Sequence, residues 1–185
     1  MRIISLISLL WLLGSPVWAS PRNEAIERAA QDVGVPPSLL TAICWAESGL
    51  KSSAYRFADS GDPKNSAFGL CQVLYQTGRF YGLQDENCTR DFRNTYFLER
   101  NYKACKLFGP YTNAFYAAKV LKYQLNRYGG SWISAIAAYN TGSLKICKTG
   151  KVRDRYTRKV LYTCQVGGLL NQKYVDRVLR VLNKK

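Results

Sequence analysis

The chain has 185 residues, with 27 Lys+Arg against 12 Asp+Glu, 6 Cys and no His. Without imidazole, the usual Ser-His and Cys-His nucleophile systems are excluded. No Cys-x-x-Cys pair is present, so a zinc site would need scattered thiolates alone, and neither a metal nor a cofactor is expected.

The first 19 residues read as a secretory signal. Arg2 supplies the positive start, Ile3 to Leu13 is an apolar run broken only by Ser5 and Ser8, and Gly14 and Pro16 end it. Val17-Trp18-Ala19 suits a signal peptidase, which places the cut after Ala19. The run is shorter than the ~20 apolar residues of a spanning helix, and the first cysteine, Cys44, lies too far on to carry a lipid anchor at the cut. Residues 20–185, 166 in all (185 − 19), are expected to form one domain that buries roughly two-thirds of its unfolded surface. No second hydrophobic run follows. No transmembrane segment is therefore expected after signal removal, and the protein is expected to be exported, periplasmic or secreted, and soluble. Arg2 leaves with the signal, so the net charge becomes 26 − 12 = +14. That charge suits an anionic polymer or surface, such as a cell wall or membrane headgroups, and export argues against nucleic acid as the partner.

Ser20 and Pro21 open a first helix in which Ile26, Ala29, Ala30 and Val33 share a face, and Gly34 stops it. Ser38 is expected to cap a second, with Leu39, Leu40, Ile43 and Ala46 or Glu47 at helical spacing and Gly49 at its end. Lys51 to Ser66 is a polar loop with Gly61 and Pro63, and a short helix is expected to start near Ala67. Phe80 to Tyr111 is aromatic and polar by turns, without a clear period. Asn113 is expected to cap a helix carrying Ala114, Ala118, Leu121, Leu125 and Tyr128 on one face, closed by Gly129-Gly130. Ser131 caps the next, from Trp132 to about Tyr139. Thr141 to Gly168 reads as a basic loop, and a last helix runs from about Leu169 to Leu182 with Tyr174, Val178 and Leu182 in register. No strand pair alternates cleanly, so the expected fold is mainly α around a single core, with at most a small hairpin in one loop.

One carboxylate is placed for acid chemistry. Burial among apolar groups raises a carboxyl pKa and keeps the proton available near neutral pH. Glu47 closes the apolar stretch Leu39–Ala46, beside Trp45 and one turn beyond Ile43. The rival is Glu99, in Tyr96-Phe97-Leu98-Glu99, but Arg100 follows it directly.

Four short motifs surround Glu47 in chain order. Ala42-Ile43-Cys44-Trp45-Ala46-Glu47-Ser48-Gly49 follows Val35-Pro36-Pro37-Ser38-Leu39-Leu40. Gly69-Leu70-Cys71-Gln72 comes next, then Ala137-Ala138-Tyr139-Asn140-Thr141-Gly142 behind Tyr128-Gly129-Gly130, and last Tyr174-Val175. Over about Asn23 to Leu182 this series resembles the soluble-type lytic transglycosylases. The resemblance implies a lysozyme-like helical core. It also implies a glycan substrate, peptidoglycan, cut between N-acetylmuramic acid and N-acetylglucosamine. Glu47 would protonate the bridging oxygen and then act as base while the muramic C6 hydroxyl closes on C1, leaving a 1,6-anhydro end. The substrate's N-acetyl group would stabilise the positive centre, so one carboxylate can suffice where most glycosidases use two. Gln72 would line the groove, Ser48 would join it through the Glu-Ser motif, Tyr139 and Asn140 would bind the sugar beside the scissile bond, and Tyr174 would aim its hydroxyl at Glu47. Enzymes of this kind also open the wall for secretion machines or pili, which makes such an assembly a candidate partner.

The chain departs from that pattern in three places. Cys71 replaces a methionine. The loop from Lys51 to Ser66 is longer than in the simplest members; it reads Phe57-Ala58-Asp59-Ser60-Gly61-Asp62 and then Asn65-Ser66-Ala67-Phe68-Gly69-Leu70-Cys71-Gln72, which resembles goose-type lysozymes, so a hydrolase in which Asp59 or Asp62 positions water is the alternative function; both also suit a turn around Gly61 and Pro63. The segment from about Glu86 to Ala104 matches none of these motifs and is not placed by the resemblance. A third reading is a wall-binding or assembly protein without activity, which the Glu47 motif disfavours.

Six cysteines in an oxidising compartment favour disulfides, although sequence alone permits 15 pairings. Cys147–Cys164 would tie off the basic loop and Cys88–Cys105 would clamp the unplaced insert, each worth roughly 3 kcal/mol in the chain-entropy model. Elimination leaves Cys44–Cys71, with two buried free thiols as the alternative. The basic loop carries Lys145, Lys148, Lys151, Arg153, Arg155, Arg158 and Lys159 against Asp154. Exposed charges are screened over ~8–10 Å at ordinary ionic strength. Binding to whole sacculi is therefore expected to weaken across a salt series, and neutralising four of these cations is expected to flatten that dependence. Unchanged binding in the neutralised variant would remove the loop as the contact.

Overall fold

The computed structural model describes residues 20–93, 104–153, 160–163 and 165–184. The expected signal, residues 1–19, and Glu99, Cys164, Asp154, Arg155, Arg158 and Lys159 lie outside the described residues. Among the described residues six helices carry the architecture: α1 (Pro21–Val33), α2 (Pro37–Ser48), α3 (Tyr75–Phe80), α4 (Pro110–Arg127), α5 (Trp132–Thr141) and α6 (Gln172–Leu182). The long α4 packs along α1 and against α5, and α2 packs on α6. Ile26, Leu39, Leu40, Ile43, Leu121, Ile136, Val175 and Val178 are fully buried between them. The fold is mainly α with one core, as the sequence indicates. Among the described residues no helix is long and apolar enough to cross a membrane.

Local chemistry sets the helix ends. The Ser20 hydroxyl accepts from Asn23 N–H at 3.3 Å, and Gly34 ends α1 in the left-handed region. Ser131 caps α5 in the same way, and that helix runs on to Thr141 before Gly142 turns it. Two expected caps fail. Ser38 lies inside α2, because Pro37 supplies a first residue with a fixed helical φ and no N–H to satisfy. Asn113 lies inside α4, one turn beyond Pro110, and is fully buried. The last helix begins at Gln172, later than expected.

The helix expected near Ala67 is a strand. β1 (Tyr55–Arg56), β2 (Ala67–Phe68) and β3 (Val73–Leu74) form a small antiparallel sheet, and the helix starts only at Tyr75. Tyr55 pairs with Phe68, and Phe68 with Val73. Phe68 is fully buried and packs on Tyr55, Phe92 and Phe108 with ring centroids 5.1, 5.9 and 5.4 Å away. These aromatic contacts outweigh helical propensity over so short a segment. A second antiparallel pair, β4 (Lys151–Arg153) and β5 (Val160–Thr163), is the hairpin allowed for in one loop.

Cys44–Cys71 and Cys88–Cys105 are bridged as expected. Cys147 is also disulfide-bonded; Cys164, its expected partner, is outside the described residues. The Cys88–Cys105 bridge clamps the flanks of the segment that sequence could not place, and Phe92 inside that segment joins the aromatic cluster.

The turn between β2 and β3 is held by Asn113. Its Nδ2 donates to Phe68 O at 2.7 Å and Leu107 O at 2.8 Å, and its Oδ1 accepts from Cys71 N–H at 2.8 Å. Gly69 fits there because its φ is +69° and an added Cβ would lie 2.5 Å from Leu107 O and 2.6 Å from Asn113 Nδ2. Removing the Asn113 amide would strand three buried backbone groups, each costing about 1–3 kcal/mol. Asn113→Ala is expected to lose at least ~3 kcal/mol in urea unfolding, and a loss under ~1 kcal/mol would contradict this account.

Candidate active site

α2 delivers Glu47 to its carboxyl end, one residue before its last, Ser48, with Gly49 as the cap. There the side chain faces a cleft of about 940 Å³ walled by α3, α4, α5 and the small sheet. Gln72, Tyr139 and Asn140 line the same cleft. Glu47 is its only carboxylate among the described residues. The cations Arg56 and Lys145 also line it.

The Glu47 carboxyl is held in place. Tyr174, from α6, donates its hydroxyl to Oε1 at 2.7 Å. Burial raises the Glu47 pKa above the ordinary glutamate range; the Tyr174 hydrogen bond and the charges of Arg56 and Arg177 oppose that rise without cancelling it. The acid therefore keeps its proton to higher pH than a surface glutamate does. Burial, with the neighbouring Glu47, drives the pKa of both Tyr139 and Tyr174 far upward, so both phenols remain protonated donors.

The other wall of the cleft is fixed through Cys71. Tyr139 donates its hydroxyl to Cys71 O at 3.0 Å. Gln72 follows at φ +51°, with Nε2 donating to Gly69 O at 3.0 Å. Asn140 accepts from Asn171 Nδ2 at 3.2 Å.

Three expected site residues lie elsewhere. The Ser48 hydroxyl is taken up by structure, donating to Leu70 O at 2.6 Å and accepting from Lys51 N–H at 3.0 Å. Asp62 caps a short 3-10 turn by accepting from Lys64 N–H at 2.9 Å. Asp59 is exposed in the same loop, and none of the three lines the cleft. Sequence reasoning missed Arg56, Phe80, Tyr123 and Gln124, which come from separate elements. It also missed Arg177, whose guanidinium donates to Ala46 O at 3.3 Å beside the acid. Its one available signal was a position three residues after Tyr174, on the same helix face.

The raised Glu47 pKa carries a stability signature. Between the unfolded and folded pKa values the native state holds more protons, so this group's contribution falls as pH rises through that window and is fully present below it. Glu47→Gln keeps the shape and the acceptor for Tyr174 but does not titrate. Its Tm relative to the wild type is expected to rise with pH from the ordinary glutamate range upward. A Tm difference independent of pH would mean that the acid is not desolvated.

A family model described as Transglycosylase SLT domain matches residues 24–161. Protein IpgF of Shigella flexneri is 29% identical over 140 residues, which span 75% of this chain and 78% of that protein. Protein IpgF of Shigella sonnei is 28% identical over the same shares. The X-ray structure of an inactive mutant of lytic transglycosylase Slt from Pseudomonas aeruginosa overlaps 86% of this chain at 20% identity with a TM-score of 0.46. This chain spans 23% of the length of that protein. The family match covers all the elements that build the cleft, with α6 and Tyr174 beyond its end. The chain belongs to the Transglycosylase SLT domain family.

Proposed function

We propose that this chain is an exported lytic transglycosylase that cuts peptidoglycan glycan strands between N-acetylmuramic acid and N-acetylglucosamine, with residues 1–19 as its signal and 20–185 as its catalytic domain. The observation that carries the reading is Glu47, a desolvated carboxyl gripped by Tyr174 in a cleft with no second carboxylate among the described residues.

Each step uses a group already in place. Protonated Glu47 gives its proton to the bridging oxygen, and the glycosidic bond breaks. The resulting carboxylate then takes the proton of the muramic C6 hydroxyl as that oxygen bonds to C1, which closes the 1,6-anhydro ring and restores the acid. Tyr174 holds the Glu47 rotamer through both transfers, and its hydrogen bond with the Arg56 and Arg177 charges stabilises the transient anion. Tyr139, Asn140 and Gln72 orient the sugar next to the bond that breaks. An inverting hydrolase needs a second carboxylate roughly 6.5–9.5 Å from the acid to hold water. Asp59 and Asp62 lie off the cleft, and Asp62 is spent on its turn. The strongly basic surface suits an anionic wall polymer.

Loss of a general acid costs at least ~10²-fold in rate. Glu47→Gln is expected to clear purified sacculi at least ~10²-fold more slowly, while its circular dichroism and sacculus pull-down stay near the wild type. Clearance at the wild-type rate would overturn the assignment.

A further inference from the structure

The chain's positive charge is gathered in its second half. Residues 104–153 hold eight Lys+Arg and no Asp or Glu, whereas residues 20–93 hold eight Lys+Arg against nine Asp+Glu. Exposed apolar side chains accompany the cations. Trp132 is 41% exposed, Ile133 51%, Ile146 43% and Val166 65%. A single exposed hydrophobic residue is ordinary on a protein surface, but a group of them marks a contact.

Hydrogen bonds bring these residues to one end of the molecule. Gln124 Nε2 donates to Gly142 O at 3.3 Å, and one turn further along α4 the Tyr128 hydroxyl accepts from Leu144 N–H at 2.8 Å. The chain leaving α5 therefore runs back along α4 toward the turn between α4 and α5, and Ile146 follows two residues later. Trp132 and Ile133 open α5 on the far side of that turn. Cys147 exchanges backbone hydrogen bonds with Gly167 and Gly168, each at 2.9 Å, which sets Val166 beside the same segment. The turn itself stands open, since a Cβ on Gly129 or Gly130 would meet nothing within 4 Å. Arg127, Lys145 and Lys148 are exposed at this end and form no ion pair among the described residues.

We propose that this end of the molecule docks on an anionic lipid bilayer, with Trp132, Ile133, Ile146 and Val166 entering the interface and Arg127 and Lys148 on the headgroups. The choice of partner follows from the mixture of side chains. A polyanion, whether a wall polymer or a nucleic acid, gains from the cations and gains nothing from exposed isoleucine and valine. A bilayer with anionic headgroups gains from both, because Lys and Arg meet the surface charge, Trp suits the headgroup level and aliphatic tips reach the acyl boundary. Among the described residues no helix is long and apolar enough to span, so the protein lies on the surface. Lys145 lines the cleft one residue before Ile146, so the docked end adjoins the cleft. The proposal does not rest on the transglycosylase reading.

The test uses the chain from Ser20 onward, which contains the whole core from Ile26 to Val178, and unilamellar vesicles. Its tryptophans are then Trp45 and Trp132, so Trp45→Phe leaves Trp132 as the one fluorescent reporter. Vesicles of phosphatidylglycerol mixed with phosphatidylcholine are expected to co-sediment the protein and to shift Trp132 emission to the blue, and phosphatidylcholine alone to do neither. Arg127→Gln with Lys148→Gln is expected to weaken vesicle binding about 10- to 30-fold. Ile133→Ser with Ile146→Ser leaves the charge untouched and is expected to weaken it at least about tenfold. All four side chains are exposed, and thermal melting checks that each variant is folded. Emission unmoved by anionic vesicles, equal binding to both vesicle types, or parental binding by the Ile133→Ser, Ile146→Ser variant overturns the proposal. So does binding to purified sacculi that falls in these variants while vesicles capture no protein, which would assign the same end to the wall polymer.

Discussion

Residues 69–72 are pinned from several sides, and the cleft takes its shape from that pinning. The Cys44–Cys71 bridge ties the segment to α2, and Ser48 ties the same two pieces a second time through Leu70 O. Asn113 of α4 accepts from Cys71 N–H and donates to Phe68 O just before the segment, and Tyr139 of α5 bonds to Cys71 O. Glu47 is three residues from one end of the disulfide and Gln72 is next to the other. A shift in this seam would move both at once. A site whose supporting groups are locked in this way keeps its geometry through proton transfers.

Electrostatics then decide what the locked carboxyl does. Desolvation is the largest influence on Glu47 and favours the protonated acid. Tyr174, Arg56 and Arg177 pull the other way, more weakly, and so make the anion accessible when the proton leaves. The proposed mechanism makes Glu47 an acid in one step and a base in the next, which needs both influences, with neither overwhelming the other. The two phenols act as fixed donors, because burial beside a carboxylate keeps them from ionising.

Much of this was legible in the sequence where the signal is local. Ser20, Gly34 and Ser131 announce their helix ends because a cap needs only its own few neighbours. Asn113 carries the same signal and means something else, since its partners at Phe68, Leu107 and Cys71 are distant in sequence or on another element. Ala67–Phe68 is strand because of ring contacts to Tyr55, Phe92 and Phe108, which no window of sequence contains. Among the expected site residues, Glu47, Gln72, Tyr139 and Asn140 stand out by their motifs and meet in one cleft, and Tyr174 meets Glu47 directly. Ser48 belonged to a motif too, but its hydroxyl is spent on the seam. Arg56, Phe80, Tyr123 and Gln124 stayed hidden because a two-residue strand, a six-residue helix and the long α4 each supply a part, and none of the parts has a signature alone.

The central claim is that the Glu47 carboxyl works alone and that the substrate's own hydroxyl, rather than water, completes the reaction. Mass spectrometry of the muropeptides released from purified peptidoglycan tests this most directly. The account predicts ends of 1,6-anhydro-N-acetylmuramic acid, lighter by one water than the reducing-end product of hydrolysis. Reducing-end products in their place, lost again in Asp59→Asn or Asp62→Asn, would contradict it.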